Sequence, residues 1–210
     1  EAAAASLARD GAPAPLALTG DMTEEQGVAG AVAEVAARFG GLDILVNNAG
    51  VNDRKLPQDY TLSEWNALIA GNLTSAFLVS RAAYPLMAAR GGGKIVNIGS
   101  IMSIFGSPMS APYAAAKGGL VQMTKALATA WAGDNIQVNA ILPGWIDTDM
   151  TETAREQVPG LNDRVLARTP AGRWGRPADL GGAALFLCAP ASDFVTGIAL
   201  PVDGGYSCAA

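Results

Sequence analysis

Two side chains that can move a proton, Tyr113 and Lys117, stand four residues apart in the segment APYAAAKGG. The small apolar residues around them predict a helix, and this spacing places both side chains on one helix face. A phenol ordinarily titrates near a pKa of about 10, and a neighbouring ammonium ion favours the ionised form and lowers that pKa. The pair therefore predicts an acid/base site centred on Tyr113. The alternative is a tyrosine and a lysine on a solvated helix face.

A third polar side chain, Ser100, precedes Tyr113 by thirteen residues and follows the apolar stretch KIVNI. In parallel sheets the carboxyl ends of the strands open onto the ligand crevice, so Ser100 is predicted to face the same ligand. Its hydroxyl would donate a hydrogen bond to a substrate oxygen and stabilise the charge that develops there. The alternative is an ordinary loop serine.

Apolar stretches of strand length alternate with longer stretches of helical period. This alternation is typical of strand–helix units around a parallel sheet, so we predict one α/β domain over 1–210 with a doubly wound, Rossmann-like sheet. The predicted strands are 14–18, 42–47, 94–98, 136–142 and 198–202. The predicted helices are 24–39, 73–89, 113–131 and 178–187. For the first helix, Thr23 is the predicted N-cap and Gly40 with Gly41 the predicted end.

Between about 148 and 177 the helical period breaks down, and proline, glycine, arginine and tryptophan accumulate. We interpret this stretch as a mobile excursion of the same domain, of the kind that covers a binding site.

The composition excludes several classes of function. A net charge of −5 supplies no basic face for nucleic acid, so small molecules and further copies of the chain are the expected partners. The sequence has no histidine, which excludes Ser-His-Asp catalysis and imidazole-based zinc sites, and we predict no metal. Cys188 and Cys208 form no CxxC motif, and neither a membrane span nor a signal peptide is evident, so we expect a cytoplasmic protein.

Four residues resemble the catalytic tetrad of the classical short-chain dehydrogenases/reductases: Asn72 in GNLTSAF, Ser100 in IVNIGS, and Tyr113 with Lys117 in YAAAK. The resemblance implies an NAD- or NADP-dependent enzyme that interconverts a secondary alcohol and a ketone. It implies Tyr113 as acid/base, Ser100 as carbonyl polariser and Asn72 as organiser of a water relay. Lys117 would hold the nicotinamide ribose and lower the pKa of the tyrosine.

Further motifs of this family follow in order: GDMT, NNAG, LPGWIDTDM and DGG. By analogy Asp21 meets the adenine, and Ile146 and Thr148 flank the nicotinamide carboxamide. The full predicted cofactor set is Asp21, Met22, Asn47, Ala49, Gly50, Tyr113, Lys117, Pro143, Gly144, Ile146 and Thr148. NNAG and DGG have a plainer alternative as turns, since Asn and Gly tolerate left-handed backbone.

The chain departs from the family pattern at its start. The family opens with a TGxxxGxG turn that binds the pyrophosphate, and no such glycine spacing occurs here. We expect that roughly one βαβ unit is missing from this stretch of sequence, and that its loss would leave exposed sheet edges. The segment would also carry the residue that distinguishes NAD from NADP, so the preference stays open.

Within the family, NLTSAFLVSRAA, RWGRPADL and ASDFVTG most resemble gluconate 5-dehydrogenase and 2-deoxygluconate 3-dehydrogenase, with 3-oxoacyl reductases close behind. Arg54 resembles a basic residue of the sugar-acid enzymes and is predicted to hold a substrate carboxylate, with a solvated loop arginine as the alternative. Met102, Ser103 and Trp145 are predicted to line the substrate pocket, although Trp145 would serve equally in lid packing.

Two other classes of function compete with the dehydrogenase. The missing glycine loop favours a catalytically silent binding or scaffold relative, and the fold also serves lyases and epimerases, which typically depart from the tetrad. The resemblance further implies a homotetramer formed through helices 73–89 and 113–131 and the C-terminal strand. Packing of the same helices within one subunit is the alternative.

Overall fold

The computed structural model describes residues 15–209. Its α-helices are α1 Glu25–Phe39, α2 Leu62–Ile69, α3 Ser75–Ala89, α4 Ala111–Trp131, α5 Asp149–Gln157, α6 Leu161–Arg168 and α7 Pro177–Cys188. Its strands are β1 Ile44–Asn47, β2 Gly93–Ile98, β3 Ile136–Pro143 and β4 Ala199–Val202. A π-helical turn, Ala70–Thr74, leads into α3, and the 3₁₀ turn Ile101–Ser103 follows β2.

The described strands form one parallel sheet in the order β1-β2-β3-β4. The register pairs Leu45 with Ile95 and Ile95 with Val138, and on the other side of β3 it pairs Ile141 with Leu200. Strand β3 is buried from Ile136 to Leu142, as expected for an apolar strand covered on both faces. The predicted doubly wound parallel sheet is confirmed.

The two faces of the sheet carry separate hydrophobic clusters. Ile95 and Val138 pack on one face against Met87 of α3 and Ala128 of α4. Val96 points to the other face, where it packs against Leu187 of α7. Successive residues of a strand alternate between faces, so the apolar run in β2 needs helices on both sides.

The predicted strand at 14–18 is wrong for the residues that the structure describes. Ala14 lies outside them, and 15–18 form no strand, with Leu18 exposed. A strand exists only through hydrogen bonds to a neighbour. Among residues 15–209, β1 is one edge of the sheet and no strand pairs with its outer side. The side chains of Ile44 and Val46 lie on one face of this strand and are exposed.

The ends of α1 agree with the sequence at one end only. Gly40 ends the helix in the left-handed conformation with φ 72°, as predicted. The predicted N-cap is wrong, because the helix begins one residue later behind Glu24, whose side chain forms no capping bond. The Thr23 hydroxyl instead donates to the Asp21 carboxylate at 2.6 Å.

The stretch interpreted as an irregular excursion contains two helices that the sequence did not predict, α5 and α6. A small cluster of Ala154, Leu161 and Val165 holds them together, and Trp145 and Trp174 pack against it. These helices are short and polar outside that cluster, which explains why no helical period stood out. The mobility of the stretch stays a prediction.

Between residues 15 and 209, none of the helices combines the length and the hydropathy that crossing a bilayer would require. The same part of the chain holds no group of three or more cysteine or carboxylate side chains placed to share a metal ion.

Candidate active site

A cavity of about 420 Å³ opens at the carboxyl ends of β2 and β3. Its walls come from the loop after β1, the 3₁₀ turn after β2, the first turns of α4, and the segment that joins β3 to α5. It brings together eleven of the predicted site residues: Gly50, Arg54, Ser100, Met102, Tyr113, Lys117, Pro143, Gly144, Trp145, Ile146 and Thr148. Its size is within the range of small-molecule sites.

Tyr113 lies in the first turn of α4, which begins two residues earlier than predicted, with Pro112 in that turn. The sequence predicted that Lys117 would lower the pKa of the phenol. In the structure burial raises the pKa of Tyr113, while the Ser100 hydroxyl and the positive charge of Arg54 oppose that rise. The predicted direction is therefore wrong, because burial of the phenol outweighs the surrounding charges.

Lys117 is almost fully buried, with 3% of its surface exposed. Its ammonium group donates a hydrogen bond to the carbonyl oxygen of Ile98 at 2.8 Å and lies 5.6 Å from the centroid of the Tyr113 ring. Burial lowers the pKa of Lys117 to about 8. The lysine thus holds the end of β2 against α4, and it remains mostly protonated at neutral pH but loses its proton at a lower pH than an exposed lysine does.

Ser100 caps the 3₁₀ turn, and its hydroxyl accepts a hydrogen bond from the Met102 amide at 3.1 Å. Ser103, predicted to bind substrate, does not line the cavity. Its hydroxyl donates to the carbonyl oxygen of Lys117 at 2.8 Å and accepts from the Ser100 amide at 3.4 Å. Ser103 therefore connects the Ser100 turn to α4, and this geometry does not support substrate binding by its hydroxyl.

Asn72 lies in the π-helical turn before α3 and is 1% exposed. Its amide nitrogen donates to the carbonyl oxygens of Val51 at 2.7 Å and Leu68 at 2.8 Å, and its oxygen accepts from the Val51 amide at 3.2 Å. The Asn72 side chain does not line the cavity but lies behind Gly50. A Cβ atom at Gly50 would come within 2.9 Å of the Asn72 side-chain oxygen. Asn72 fixes the loop after β1.

The other predicted cofactor residues lie apart from the main cavity. Met22, Asn47 and Ala49 line a second groove of about 140 Å³ beside β1. The Asn47 amide does not point outward, because it donates to the side-chain oxygens of Asn97 at 2.8 Å and Ser80 at 2.9 Å. Hydrogen bonds from Thr23 lower the pKa of the exposed Asp21 carboxyl.

The half-buried Arg54 lines the main cavity, and within residues 15–209 its guanidinium forms no ion pair. Burial lowers the pKa of Arg54, and the nearby Tyr113, Tyr60 and Asp53 oppose the shift. A guanidinium remains charged after any such shift, so the cavity contains a cation with no protein partner in the described residues.

Trp145 lies in the cavity wall and packs against the cluster of α5 and α6, and its contact with substrate stays a prediction. Its ring packs edge-on against Trp174 with the centroids 5.6 Å apart. Its indole nitrogen is buried without a hydrogen-bond partner, as is the side-chain oxygen of Asn52.

Sequence reasoning missed several residues of the cavity wall. Asn48 lies in NNAG and lines both grooves, so that motif already contained its signal. Met150 and Thr151 come from α5, and Leu180 comes from α7. No spacing rule links these segments to the tetrad, and the tertiary fold alone brings them to the site.

The residues present fit the nicotinamide half of a dinucleotide. At Gly50 a Cβ atom would lie 2.9 Å from the Asn72 side-chain oxygen and 3.4 Å from the Lys117 ammonium nitrogen, so glycine lets the loop after β1 pack closely against both side chains. At Gly144 a Cβ atom would lie 2.6 Å from Asp203, so only glycine permits this approach of the β3 and β4 ends. Lys117 and Thr148 supply polar atoms beside the apolar Ile98, Ile101 and Ile146. This mixture suits a ribose next to a flat aromatic ring.

Comparison with known proteins agrees with this geometry. The family model described as Enoyl-(Acyl carrier protein) reductase matches residues 1–207. Gluconate 5-dehydrogenase of Gluconobacter oxydans is 42% identical over 88% of this chain and 72% of its own length. The values for 5-keto-D-gluconate 5-reductase of Escherichia coli are also 42%, 88% and 72%.

Among solved structures, a gluconate 5-dehydrogenase from Burkholderia cenocepacia in complex with NADP and tartrate superposes with a TM-score of 0.94. It is 41% identical, and the match covers 100% of this chain and 81% of that one. Predictions of fold and enzyme class are confirmed by these matches: the chain belongs to the short-chain dehydrogenase/reductase family, a family of NAD(P)-dependent oxidoreductases.

Proposed function

We propose that this protein interconverts a secondary alcohol and a ketone on a sugar acid of the gluconate type, with NAD or NADP as hydride acceptor or donor. The observation that carries the proposal is the Arg54 guanidinium, which forms no ion pair within residues 15–209 and lies in the same cavity as Tyr113 and Ser100. A carboxylate is the natural partner of such a cation. The relatives named for gluconate and 5-ketogluconate, and the tartrate-bound structure, support the same class of substrate.

In this mechanism Tyr113 is the acid/base. Its hydroxyl donates a proton to the carbonyl oxygen during reduction and accepts it back during oxidation. Ser100 donates a hydrogen bond to the same oxygen and stabilises the charge that develops there. Because burial raises the pKa of Tyr113, the phenol is protonated at neutral pH and ready to act as the acid.

The nicotinamide, when bound, supplies or accepts the hydride. The main cavity would hold its nicotinamide half with Gly50, Tyr113, Lys117, Pro143, Gly144, Ile146 and Thr148. Asp21 and Met22, with Asn47 and Ala49, would hold the adenine side. Solved relatives contain NADP, which supports that cofactor without excluding NAD.

Lys117 and Asn72 are proposed to support Tyr113. A protonated Lys117 favours the tyrosinate that oxidation requires, and the lysine also orients the ribose. Asn72 is proposed to order water behind the lysine. Its oxygen and the Lys117 nitrogen approach Gly50 from the same side, which supports this role.

A 3-oxoacyl thioester is the second candidate substrate. The apolar residues in the cavity wall, among them Ile101, Met102 and Leu180, would suit an acyl chain. The description of the matching family model names an enzyme of acyl-carrier-protein thioesters, which supports an acyl chain as ligand but refers to a carbon–carbon double bond rather than a ketone. Arg54 would then contact a phosphate or remain solvated.

We also propose that the protein is a cytoplasmic homotetramer. Large apolar side chains are exposed in the described part of the chain: Leu62 on α2, Phe77 on α3, Leu185 on α7 and the fully exposed Phe194 before β4. The absence of a disulfide between Cys188 and Cys208 agrees with a reducing compartment. Light scattering of the purified protein tests the tetramer, and a monomeric mass would contradict it.

Absorbance at the nicotinamide band tests the substrate class. The purified protein is assayed with gluconate, 5-ketogluconate, a neutral hexitol and a 3-oxoacyl thioester, each with both cofactors. The proposal predicts the highest kcat/KM for a sugar acid. A preference for the thioester would favour the second candidate, and no turnover of any substrate would favour a silent binding protein.

A further inference from the structure

One phenol holds the backbone on both sides of Arg54. The Tyr60 hydroxyl donates a hydrogen bond to the carbonyl oxygen of Asp53 at 2.6 Å. The phenol oxygen of Tyr60 in turn accepts a hydrogen bond from the Lys55 amide at 3.2 Å and lies 3.2 Å from the carbonyl oxygen of Met109. Tyr60 therefore contacts the residues immediately before and after the arginine.

Further contacts hold this loop without touching Arg54. The Lys55 amide also donates to the carbonyl oxygen of Met109 at 3.1 Å, just ahead of α4. Its ammonium pairs with the Asp53 carboxylate at 3.2 Å and with Glu64 of α2. Loss of the Tyr60 hydroxyl would thus loosen the backbone at 53–55 without releasing the loop.

The orientation of Arg54 decides what it can bind. A guanidinium holds a carboxylate by two parallel hydrogen bonds, which need a fixed plane as well as a fixed position. Arg54 lines the cavity, whereas Tyr60 does not, so Tyr60 can affect a ligand only through its neighbours. Two of its three hydrogen-bond partners, Asp53 and Lys55, flank Arg54.

We propose that Tyr60 is a positioning residue for carboxylate recognition: by holding the backbone of Asp53 and Lys55 it aims the Arg54 guanidinium at the acidic end of the substrate. The inference rests on the proposed action on sugar acids. It assigns acid-versus-neutral selectivity to a residue outside the cavity.

The test compares Tyr60→Phe, Arg54→Ala and the double variant. Gluconate affinity is measured by calorimetry on protein saturated with NADPH, a combination in which no hydride can move. Loss of one positioning hydrogen bond predicts gluconate binding weaker by about three- to tenfold in Tyr60→Phe. In the Arg54→Ala background the same change should have no further effect, because the group it positions is gone.

Tyr84→Phe is the matched control, since its hydroxyl also donates one hydrogen bond, to Asp134 at 2.8 Å, away from the cavity. It should leave gluconate affinity unchanged. KM for a neutral hexitol should be unchanged in Tyr60→Phe, a split that general loosening of the fold would not produce. Equal losses for acid and hexitol, or a full additional loss in the double variant, would overturn the inference.

Failure of the proposed function would give results different from those that overturn the Tyr60 inference. If the wild type binds gluconate but turns over no sugar acid, the proposed reaction fails and the Tyr60 test still stands. If the wild type binds no gluconate, or Arg54→Ala binds it as well as wild type, carboxylate recognition by Arg54 is wrong, and the Tyr60 inference fails with it.

Discussion

The Lys117 ammonium donates a hydrogen bond to the carbonyl oxygen of Ile98 at 2.8 Å, so the side chain that neighbours Tyr113 also fastens the end of β2 to α4. Burial lowers the pKa of this lysine to about 8. Burial of this charge lowers the stability of the fold, whereas the same charge supports the proposed chemistry at Tyr113. Because the lysine loses its charge as pH rises, the effect on stability can be measured as a function of pH.

Lys117→Met should change the pH dependence of stability. The lysine titrates at about 8 in the folded chain and at 10.5 when unperturbed, so between these values the unfolded state binds more protons. The wild type should therefore gain stability relative to Lys117→Met as pH rises across that window, by at most about 3 kcal/mol. Denaturant unfolding at several pH values measures this. Parallel pH curves for the two proteins would contradict the pKa assignment.

Arg54→Ala should raise KM for gluconate about tenfold to a hundredfold, because a charge-assisted hydrogen-bonded pair contributes about 1.5–3 kcal/mol. Steady-state kinetics with gluconate and with a neutral hexitol provide the comparison, and kcat should change little. Arg54→Lys should recover part of the loss, since it keeps the charge but not the bidentate geometry. An equal rise in KM for both substrates would remove the proposed role.

Ser103→Ala should lower kcat about tenfold with a smaller change in KM, because small displacements of a catalytic group weaken transition-state contacts. The variant loses the hydroxyl that connects the Ser100 turn to Lys117. Ser103→Thr, which keeps a hydroxyl, should be close to wild type. Thr129→Ala is the control, since it removes a hydroxyl bond to a carbonyl of the same helix at an exposed position. A normal kcat in Ser103→Ala would show that the connection is dispensable.

Arg168→Ala should loosen α5 and α6. The guanidinium carbon of Arg168 lies 4.8 Å from the Phe105 ring centroid and 4.5 Å from the Tyr206 ring centroid. These contacts join the end of α6 to the turn after β2 and to the C-terminal turn. Two such contacts at an exposed site contribute about 1–2 kcal/mol together. Hydrogen exchange at 149–168 should accelerate. Arg164→Ala should not change it, because within residues 15–209 this exposed side chain bonds only the nearby Pro159 carbonyl. Equal exchange in both variants would contradict this anchoring.

The central strands β2 and β3 were predictable because a strand that is covered on both faces must be apolar along its length. The apolar runs of β2 and β3 are buried on both faces, and that burial is visible in the sequence itself. The segment 15–18 is also apolar, but it has no β-branched residue and no described neighbour, and pairing is a property of two strands. Helices α5 and α6 escaped prediction because Ala154, Leu161 and Val165 gain their burial from each other and from two tryptophans.

The candidate site also has some features that the sequence predicts and others that depend on the tertiary packing. Motif spacing predicted that Ser100, Tyr113 and Lys117 face one ligand, and all three line the same cavity. It did not foresee that burial would raise the pKa of Tyr113, because desolvation depends on the packing around the ring. Nor did it foresee that Ser103 would bond to Lys117, since a hydroxyl near a site looks the same in sequence whether it faces ligand or protein.

The most direct test of the central claim is the turnover number of Tyr113→Phe. The variant keeps the ring and loses only the hydroxyl, so NADPH binding, followed by fluorescence, should be nearly unchanged. Turnover of the best sugar-acid substrate should fall by about 100-fold or more, the usual contribution of a general acid/base. Wild-type turnover in this variant would contradict the mechanism.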